Sequence, residues 1–481
     1  MAGDILIDRI PGETRIARME GGRLAEIMIL RDDAPPAIGQ IFLGRVNRVV
    51  PGLDAAFVEL GQGAPGLLAA RDAVPGDAAA VRPINRLVHE GERIIVQITR
   101  EALGDKGPRL SADIALPGRL VALTPRRDQA RLSPRIAPAD RARLSAVAEV
   151  LADDAAIPGG VVLRTRAQDA DKEEIIAEAH ALARQWAALE TAAEQAGGPA
   201  RLFDGGPAIT RALAAWSLDP AAIHVEGQTL YNETRTALEA GIETNLAARC
   251  IRHNGEAALF EESGVEAALE AALLPRVALE GGGWLMIEET EALVAIDVNT
   301  GGSVARHGSA REAAIKTNLA AAREITRQLR LRNLGGLIVI DFLHLEAARE
   351  RRALIAVLRA ALAGDRAPIR LSGLSQFGLV ELTRRRTGQS LGQLLGGACA
   401  QCGGRRAKGV RTIGQDVLRQ MARCAAVATP GPMTVRAAPA VIAWLEGSAA
   451  LDALQAELAR AVSLEPAGGD DAEMIEVFIA G

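Results

Sequence analysis

The chain has 481 residues, 49% of them hydrophobic, and a formal net charge of −5. That apolar content supports several packed cores and excludes a disordered scaffold. The acidic balance excludes an indiscriminately basic nucleic-acid binder, and no apolar run reaches the ~18 residues that a bilayer span needs. MAGDILIDRI at the start lacks a basic-then-apolar signal pattern, so a soluble, cytoplasmic protein is expected. The charge is uneven, however. Basic residues gather at 126–143, 323–332, 384–386 and 405–411, and four such runs in an acidic chain predict local anion grooves.

In chain order, DILIDRI, ETRIARME and RLAEIMIL read as three short strands divided by Pro-Gly and Gly-Gly turns. From Gly39 to Ala112 the pattern is strands punctuated by glycine, with helical text only near 78–90. Five strands in that space fit a small barrel of the OB type. Residues 119–200 mix strands with a helix over 171–190, and Gly197, Gly198 and Pro199 mark a boundary. Mixed helix and strand returns over 201–275, an α/β unit occupies 276–395, and a small α+β tail ends in the strand EMIEVFIA.

Within the α/β unit, ALVAIDVNTGGS (292–303) is an apolar strand that ends by presenting Asp297 and Asn299. GLIVIDFLHLE (336–346) repeats the design with Asp341. Between them, Ser309 followed by Glu312 is a capping signature, Ile315, Leu319, Ala322, Ile325 and Leu329 form an apolar helical face, and Asn333 is a plausible stop. Strand, long helix, strand predicts a right-handed crossover and two parallel neighbours. Parallel strands end on one sheet edge, so Asp297 and Asp341 are expected side by side where α/β sheets bind ligands. Two carboxylates that close repel unless a cation lies between them. With no histidine or thiolate nearby, magnesium is the expected ion and metal-assisted phosphodiester hydrolysis the favoured chemistry, with Asn299 orienting a water or phosphate oxygen. Each acid could instead cap a turn, a reading that weakens when two occur in mirrored contexts.

AIDVNTGG, TNLAAAREITRQLRLRNLGGLIVIDFLHLE and QFGLVELTRRRTGQSL resemble the ribonuclease E/ribonuclease G family of bacterial endoribonucleases, and the resemblance extends from about residue 1 to 411. It implies an α+β multidomain fold. An RNase H-like domain (1–37 and 201–275) is interrupted by an OB-fold RNA-binding barrel (38–118) and a 5′-sensor (119–200). A DNase I-like catalytic domain (276–395), a zinc link (396–411) and a small domain (412–481) follow. The family's catalytic magnesium would be held by Asp297 and Asp341, with Asn299 in support.

By the same resemblance, Phe57 in DAAFVEL stacks on a base and Lys106 in GDKG pairs with phosphate. Leu67 stands where a second aromatic is usual, which shifts grip toward arginine–phosphate contacts. Arg384, Arg385 and Arg386 would track the RNA backbone. Arg164 and Thr165, at the end of the short strand in GGVVLRTRAQD, match a pair that recognises a 5′-monophosphate, a role suited to an arginine fork and a hydroxyl donor. Pro368 stands where the family has a basic residue near that pocket, with Arg366 or Arg370 as candidates to compensate. CAQC (399–402) is half of a four-thiolate zinc site, and the resemblance implies that Cys399 and Cys402 share one zinc with a second chain in a homodimer, which can pair into a tetramer. Cys250 and Cys424 lie in apolar, helical-looking contexts and read as core thiols.

The expected activity is magnesium-dependent cleavage of single-stranded, AU-rich RNA, with preference for 5′-monophosphorylated ends, in mRNA decay and rRNA or tRNA processing. The alternatives are a catalytically idle RNA-binding scaffold of the same fold, which would need none of Asp297, Asn299 and Asp341, and a DNA-directed nuclease.

Overall fold

The computed structural model describes residues 3–32, 38–74, 82–100, 107–216, 220–240, 244–301, 309–397, 407–427, 431–468 and 473–479. The first sheet begins as an antiparallel meander of Ile5–Ile10, Glu13–Glu20 and Arg23–Arg31. Gly21 and Gly22, both at positive φ, make the tight turn that Cβ-bearing residues adopt only with strain. Ile223–Val225 then adds parallel to Ile5–Ile10, and Cys250–Arg252 adds beyond it. Two segments some two hundred positions apart thus share one sheet and one core of Ile5, Ile7, Ile16, Leu213 and Ile223.

Between those segments, Ile41–Val50, Ala55–Glu59, Gly66–Ala69, Arg109–Ser111 and Arg93–Arg100 pair in a ring that closes when the last strand meets the first. This is a small closed five-stranded barrel, and closure removes the sheet edges that would otherwise need covering. Phe42, Val58, Leu68, Val96, Ile98 and Leu110 are fully buried in its core. The short strand Ala200–Phe203 joins the outside of this ring on Ile41–Val50 rather than starting the return to the first sheet. A four-stranded sheet (Leu116–Pro117, Val121–Thr124, Gly160–Leu163, Arg131–Leu132) follows the barrel. Helices Pro138–Ala152 and Lys172–Gln195 pack around the same core as this sheet.

The largest open sheet has six strands, ordered Arg276–Ala278, Trp284–Glu289, Leu293–Asn299, Gly336–Asp341, Leu379–Arg384 and Ile369–Leu374. Leu285, Ile296, Ile338, Ile340 and Val380 bury one face against Ile325, Leu329 and Leu358 of helices Ala310–Leu331 and Ala348–Leu362. Each such side chain contributes roughly 1.5–3 kcal/mol of burial, which sets the sheet's inner face unambiguously. Ser309 caps the long helix as expected, its Oγ accepting from the Glu312 N–H at 3.2 Å, and Asn333 leaves it in the left-handed region. The C-terminal unit is a three-stranded sheet centred on Met433–Ala437 and ending in Ile475–Ile479, with helix Val410–Val427 against it.

Much of the basic text does not form grooves. In the run 323–332, Arg327 binds Glu324 and the Leu24 carbonyl, Arg330 holds Glu20 at 2.6 Å, and Arg332 is buried. These contacts dock the long helix onto the first sheet. In the run 126–143, Arg126 donates to the Ala112 carbonyl at 3.0 Å and Arg127 pairs with Asp113, tying the four-stranded sheet to the barrel's exit. An arginine fork satisfies a carboxylate or carbonyl across an interface, so these charges are consumed internally.

Candidate functional site

Asp297 and Asp341 are direct cross-strand neighbours, in register on the parallel pair Leu293–Asn299 and Gly336–Asp341. Adjacent strands lie about 4.8 Å apart. Val294, Ile296 and Val298, like Ile338 and Ile340, point into the core, so the alternation turns both aspartates to the open face, where both are exposed. Asn299, two residues on, shares that face and donates from Nδ2 to Asp297 Oδ2 at 2.8 Å. Among the described residues no group of three or more His, Cys, Asp or Glu forms a metal cage. Two carboxylates and an amide are hard oxygen donors that suit an ion retaining most of its waters, as magnesium does, and do not suit a structural zinc.

Asn318 is a positioning residue that sequence reading missed. It is fully buried in the long helix, accepts from the Leu343 N–H at 3.0 Å and donates to the Leu343 carbonyl at 2.8 Å. It therefore clamps the backbone two residues beyond Asp341. Its signal in the sequence was an amide placed on an apolar helical face.

The three arginines of 384–386 divide. Arg384 is interior: its Nε donates to Asp365 Oδ2 at 2.7 Å, its Nη1 to the Leu334 carbonyl at 2.8 Å, and the two side chains are 6% and 2% exposed. An enclosed guanidinium with these partners does not reach an RNA backbone, which corrects the expectation for this residue. Arg385 and Arg386 are exposed, the latter donating to the Gly335 carbonyl at 3.2 Å.

On the barrel, Phe57 and Leu67 are cross-strand partners and both are half-buried. Arg48 faces Phe57 on the other side, Arg109 faces Leu67, and Arg100 faces Arg109. One line across the barrel therefore reads arginine, phenylalanine, leucine, arginine, arginine. Sequence reading found the middle and missed the flanks, because register across a bulged strand is a tertiary fact. Lys106 lies outside the described residues, as do Cys399 and Cys402. The pairing of Gly396–Gly397 with Ala407–Lys408 closes the ends of the segment that holds the two cysteines. Cys250 is buried, with its thiol pushed up to about 11 by burial, though it opens a strand rather than lying in a helix. Cys424 sits half-buried in helix Val410–Val427.

Arg164 follows the strand Gly160–Leu163, and exposed Thr165 begins a 3-10 turn. The Arg164 N–H donates to the Leu120 carbonyl at 2.7 Å and its guanidinium to the Gly118 carbonyl. Behind that turn, Glu178 Oε1 accepts from the N–H groups of Leu120 (2.9 Å) and Val121 (3.2 Å). Glu178 is 1% exposed, and burial pushes its carboxyl above the usual range against the pull of the two amides, Arg119 and Arg164. Burial holds Arg164 below the usual guanidinium value. Arg366 is brought down to about 10 by burial, with Arg18, Arg164 and Arg330 adding repulsion. Pro368 supplies only its carbonyl, to the Arg385 N–H at 3.0 Å, while Arg370 lies exposed on the edge strand Ile369–Leu374. Of the two candidates to replace a basic residue at 368, Arg366 shares the field of Arg164.

The described residues thus form a mixed α+β protein with a small closed barrel and a carboxylate pair in register on an open sheet face. Residues 115–387 match the Ribonuclease E/G family. Ribonuclease G of Haemophilus influenzae is 35% identical over 459 residues, spanning 92% of this chain and 92% of its own. Ribonuclease G of Escherichia coli K12 is 33% identical across 93% of each chain. Ribonuclease E of a Nostoc species is 39% identical over 376 residues, 76% of this chain and 54% of its own. The chain belongs to the Ribonuclease E/G family, and with it to the endoribonucleases. Among the described residues no helix is long and apolar enough to cross a membrane.

Proposed function

We propose that this chain is a magnesium-dependent endoribonuclease that cuts single-stranded, AU-rich RNA in mRNA decay and rRNA or tRNA processing in the cytoplasm. The observation that carries this reading is the register of Asp297 with Asp341 on an open sheet face, with Asn299 bonded to the first of them. Asp297 and Asp341 would hold the magnesium, which when bound supplies charge to the phosphodiester and acidifies a water. Asn299 holds one Asp297 oxygen through its Nδ2 hydrogen bond, so the carboxylate is oriented before any ligand arrives. Its own amide oxygen remains able to accept from a water. The arginine-flanked Phe57–Leu67 row would hold the strand by stacking and phosphate contact, and Lys106, Arg385 and Arg386 would add positive charge.

The remaining organisation follows the same reading. Residues 1–37 with 201–275 form the RNase H-like domain around the OB barrel (38–118) and the sensor (119–200), followed by the DNase I-like domain (276–395), the zinc link (396–411) and the small domain (412–481). Arg164 and Thr165, with Arg366 in place of a basic residue at 368, bind a 5′-monophosphate; two arginines held below their usual value by burial gain from an anion beside them. Cys399 and Cys402 share a structural zinc between two chains. The test is Asp297→Asn and Asp341→Asn assayed on labelled single-stranded RNA with and without magnesium. Each variant is expected to lose cleavage while keeping RNA affinity within a few-fold. Cleavage near the wild-type rate by either would show that the metal site has been misassigned.

A further inference from the structure

Phe377 stands at the tip of the hairpin that joins Ile369–Leu374 to Leu379–Arg384, and it is 90% exposed. The next most exposed large apolar side chain among the described residues is Leu53, at 66%. The turn beneath Phe377 is well built. Ser375 N–H donates to the Leu379 carbonyl at 2.7 Å, Gly378 N–H to the Ser375 carbonyl at 3.1 Å, and Leu379 N–H to Ser375 Oγ at 3.2 Å. Gly378 takes a positive φ that lets the chain reverse. A closed turn of this kind holds its apical ring in water, where a phenyl group forgoes the burial that ordinarily stabilises it.

The location gives the ring a use. Leu379 is the direct cross-strand neighbour of Asp341 on the antiparallel pair. Phe377, two residues earlier, therefore projects past the end of the sheet at which Asp341 and Asn299 lie. Strand spacing plus two residues of chain put its Cα within about 12 Å of the Asp341 Cα. A phenyl ring with a nucleobase against it bridges a gap of that size. Elsewhere the chain is poor in such surfaces: aromatics are 2% of residues, and the row across the barrel contains one.

We propose that Phe377 is a stacking platform for the base of an unpaired nucleotide next to the phosphodiester held at Asp297 and Asp341. This rests on the reading of that pair as the cleavage site. The ligand class is any nucleobase face, so the contact favours single strands over duplex without selecting sequence. A second copy of the chain is the other occupant such a ring could have. A lone ring covers at most about 250 Å², well short of the roughly 800 Å² that each partner of a stable complex contributes, but it matches one base.

The experiment compares wild type, Phe377→Ala, Phe377→Trp and Asp297→Asn on a 5′-hydroxyl single-stranded oligoribonucleotide in magnesium, and on the same RNA made abasic at each nucleotide flanking the cut. Phe377→Ala is expected to lower kcat/KM by about 5- to 150-fold, the size of one base–aromatic stack. Phe377→Trp should retain activity. One abasic RNA should slow the wild type comparably, and on it Phe377→Ala should add no further loss. Wild-type rates for Phe377→Ala on the intact RNA would overturn the stacking role while an inert Asp297→Asn kept the cleavage site intact. An Asp297→Asn protein that still cleaves would overturn the underlying site instead. Loss of mass in solution by Phe377→Ala with RNA cleavage unchanged would assign the ring to an interface between copies and also overturn the proposal.

Discussion

Replacing Arg384 with alanine separates an arginine that supports the sheet from one that touches RNA. The substitution removes two bonds to Asp365, at 2.7 and 3.2 Å, one to the Leu334 carbonyl at 2.8 Å and a longer one to Asn333 Oδ1 at 3.4 Å. It leaves the Asp365 carboxylate, 2% exposed, without its counter-charge, while the Ala367 N–H still donates to it at 2.9 Å. Breaking one side of a buried ion pair typically costs about 3–5 kcal/mol, because the surviving charge stays desolvated. Arg384→Ala should therefore lower the thermal and urea midpoints of the transition that includes the six-stranded sheet. RNA affinity, measured well below that midpoint, should stay within a few-fold. Arg384→Met combined with Asp365→Asn should recover part of the loss, since no buried charge then remains. Arg385→Ala and Arg386→Ala should behave oppositely, with stability changed by no more than about 0.5 kcal/mol and RNA binding weakened with a shallower salt dependence. An Arg384→Ala protein that melts like wild type yet binds RNA poorly would refute the reasoning.

Cys399→Ser or Cys402→Ser is expected to lose zinc and shift the chain from dimer to monomer, because half a site cannot complete tetrahedral coordination; metal content and mass in solution check this, and a wild-type monomer with a full zinc complement contradicts it. A 5′-monophosphorylated RNA should be cut faster than its 5′-hydroxyl counterpart, and Arg164→Ala should erase that difference without abolishing cleavage; equal wild-type rates would mean the sensor does not operate here. Glu178→Gln should alter the pH dependence of stability. Burial raises the Glu178 pKa in the folded state, so its contribution is full below the usual carboxylate range and is lost as pH rises through the raised value. The glutamine variant lacks that decline, and its melting temperature relative to wild type should climb from acidic to mildly alkaline pH. A constant difference across that range would count against the assignment.

The adjacency of Asp297 and Asp341 was written locally. Alternating apolar residues set two strands, Ser309 and the spacing of Ile315, Ala322 and Leu329 set the helix between them, and the handedness of crossovers left one arrangement for the pair. Asn299 followed, since residues two apart on a strand share a face. The barrel was legible in the same way, from short strands and glycine turns. That residues 5–31 and 223–252 share a sheet was available only through the family resemblance, because periodicity says nothing of which distant strand is the neighbour.

The fate of the arginines was decided by the tertiary structure alone. In sequence, Arg330 and Arg384 read as exposed positive charge; Arg330 instead meets Glu20 at 2.6 Å from 310 positions away, and Arg384 meets Asp365 across a turn of the sheet. Whether a guanidinium faces water or a carboxylate depends on which distant segment folds against it, and a charge carries no periodic signature of its partner. The same holds for the line of Arg48, Phe57, Leu67 and Arg109, which exists because bulged and parallel pairings brought four separate strands into one register. Backbone propensity and apolar spacing act over a few residues and so survive in the sequence, whereas ion pairing and register act through space and appear only once the chain has closed on itself.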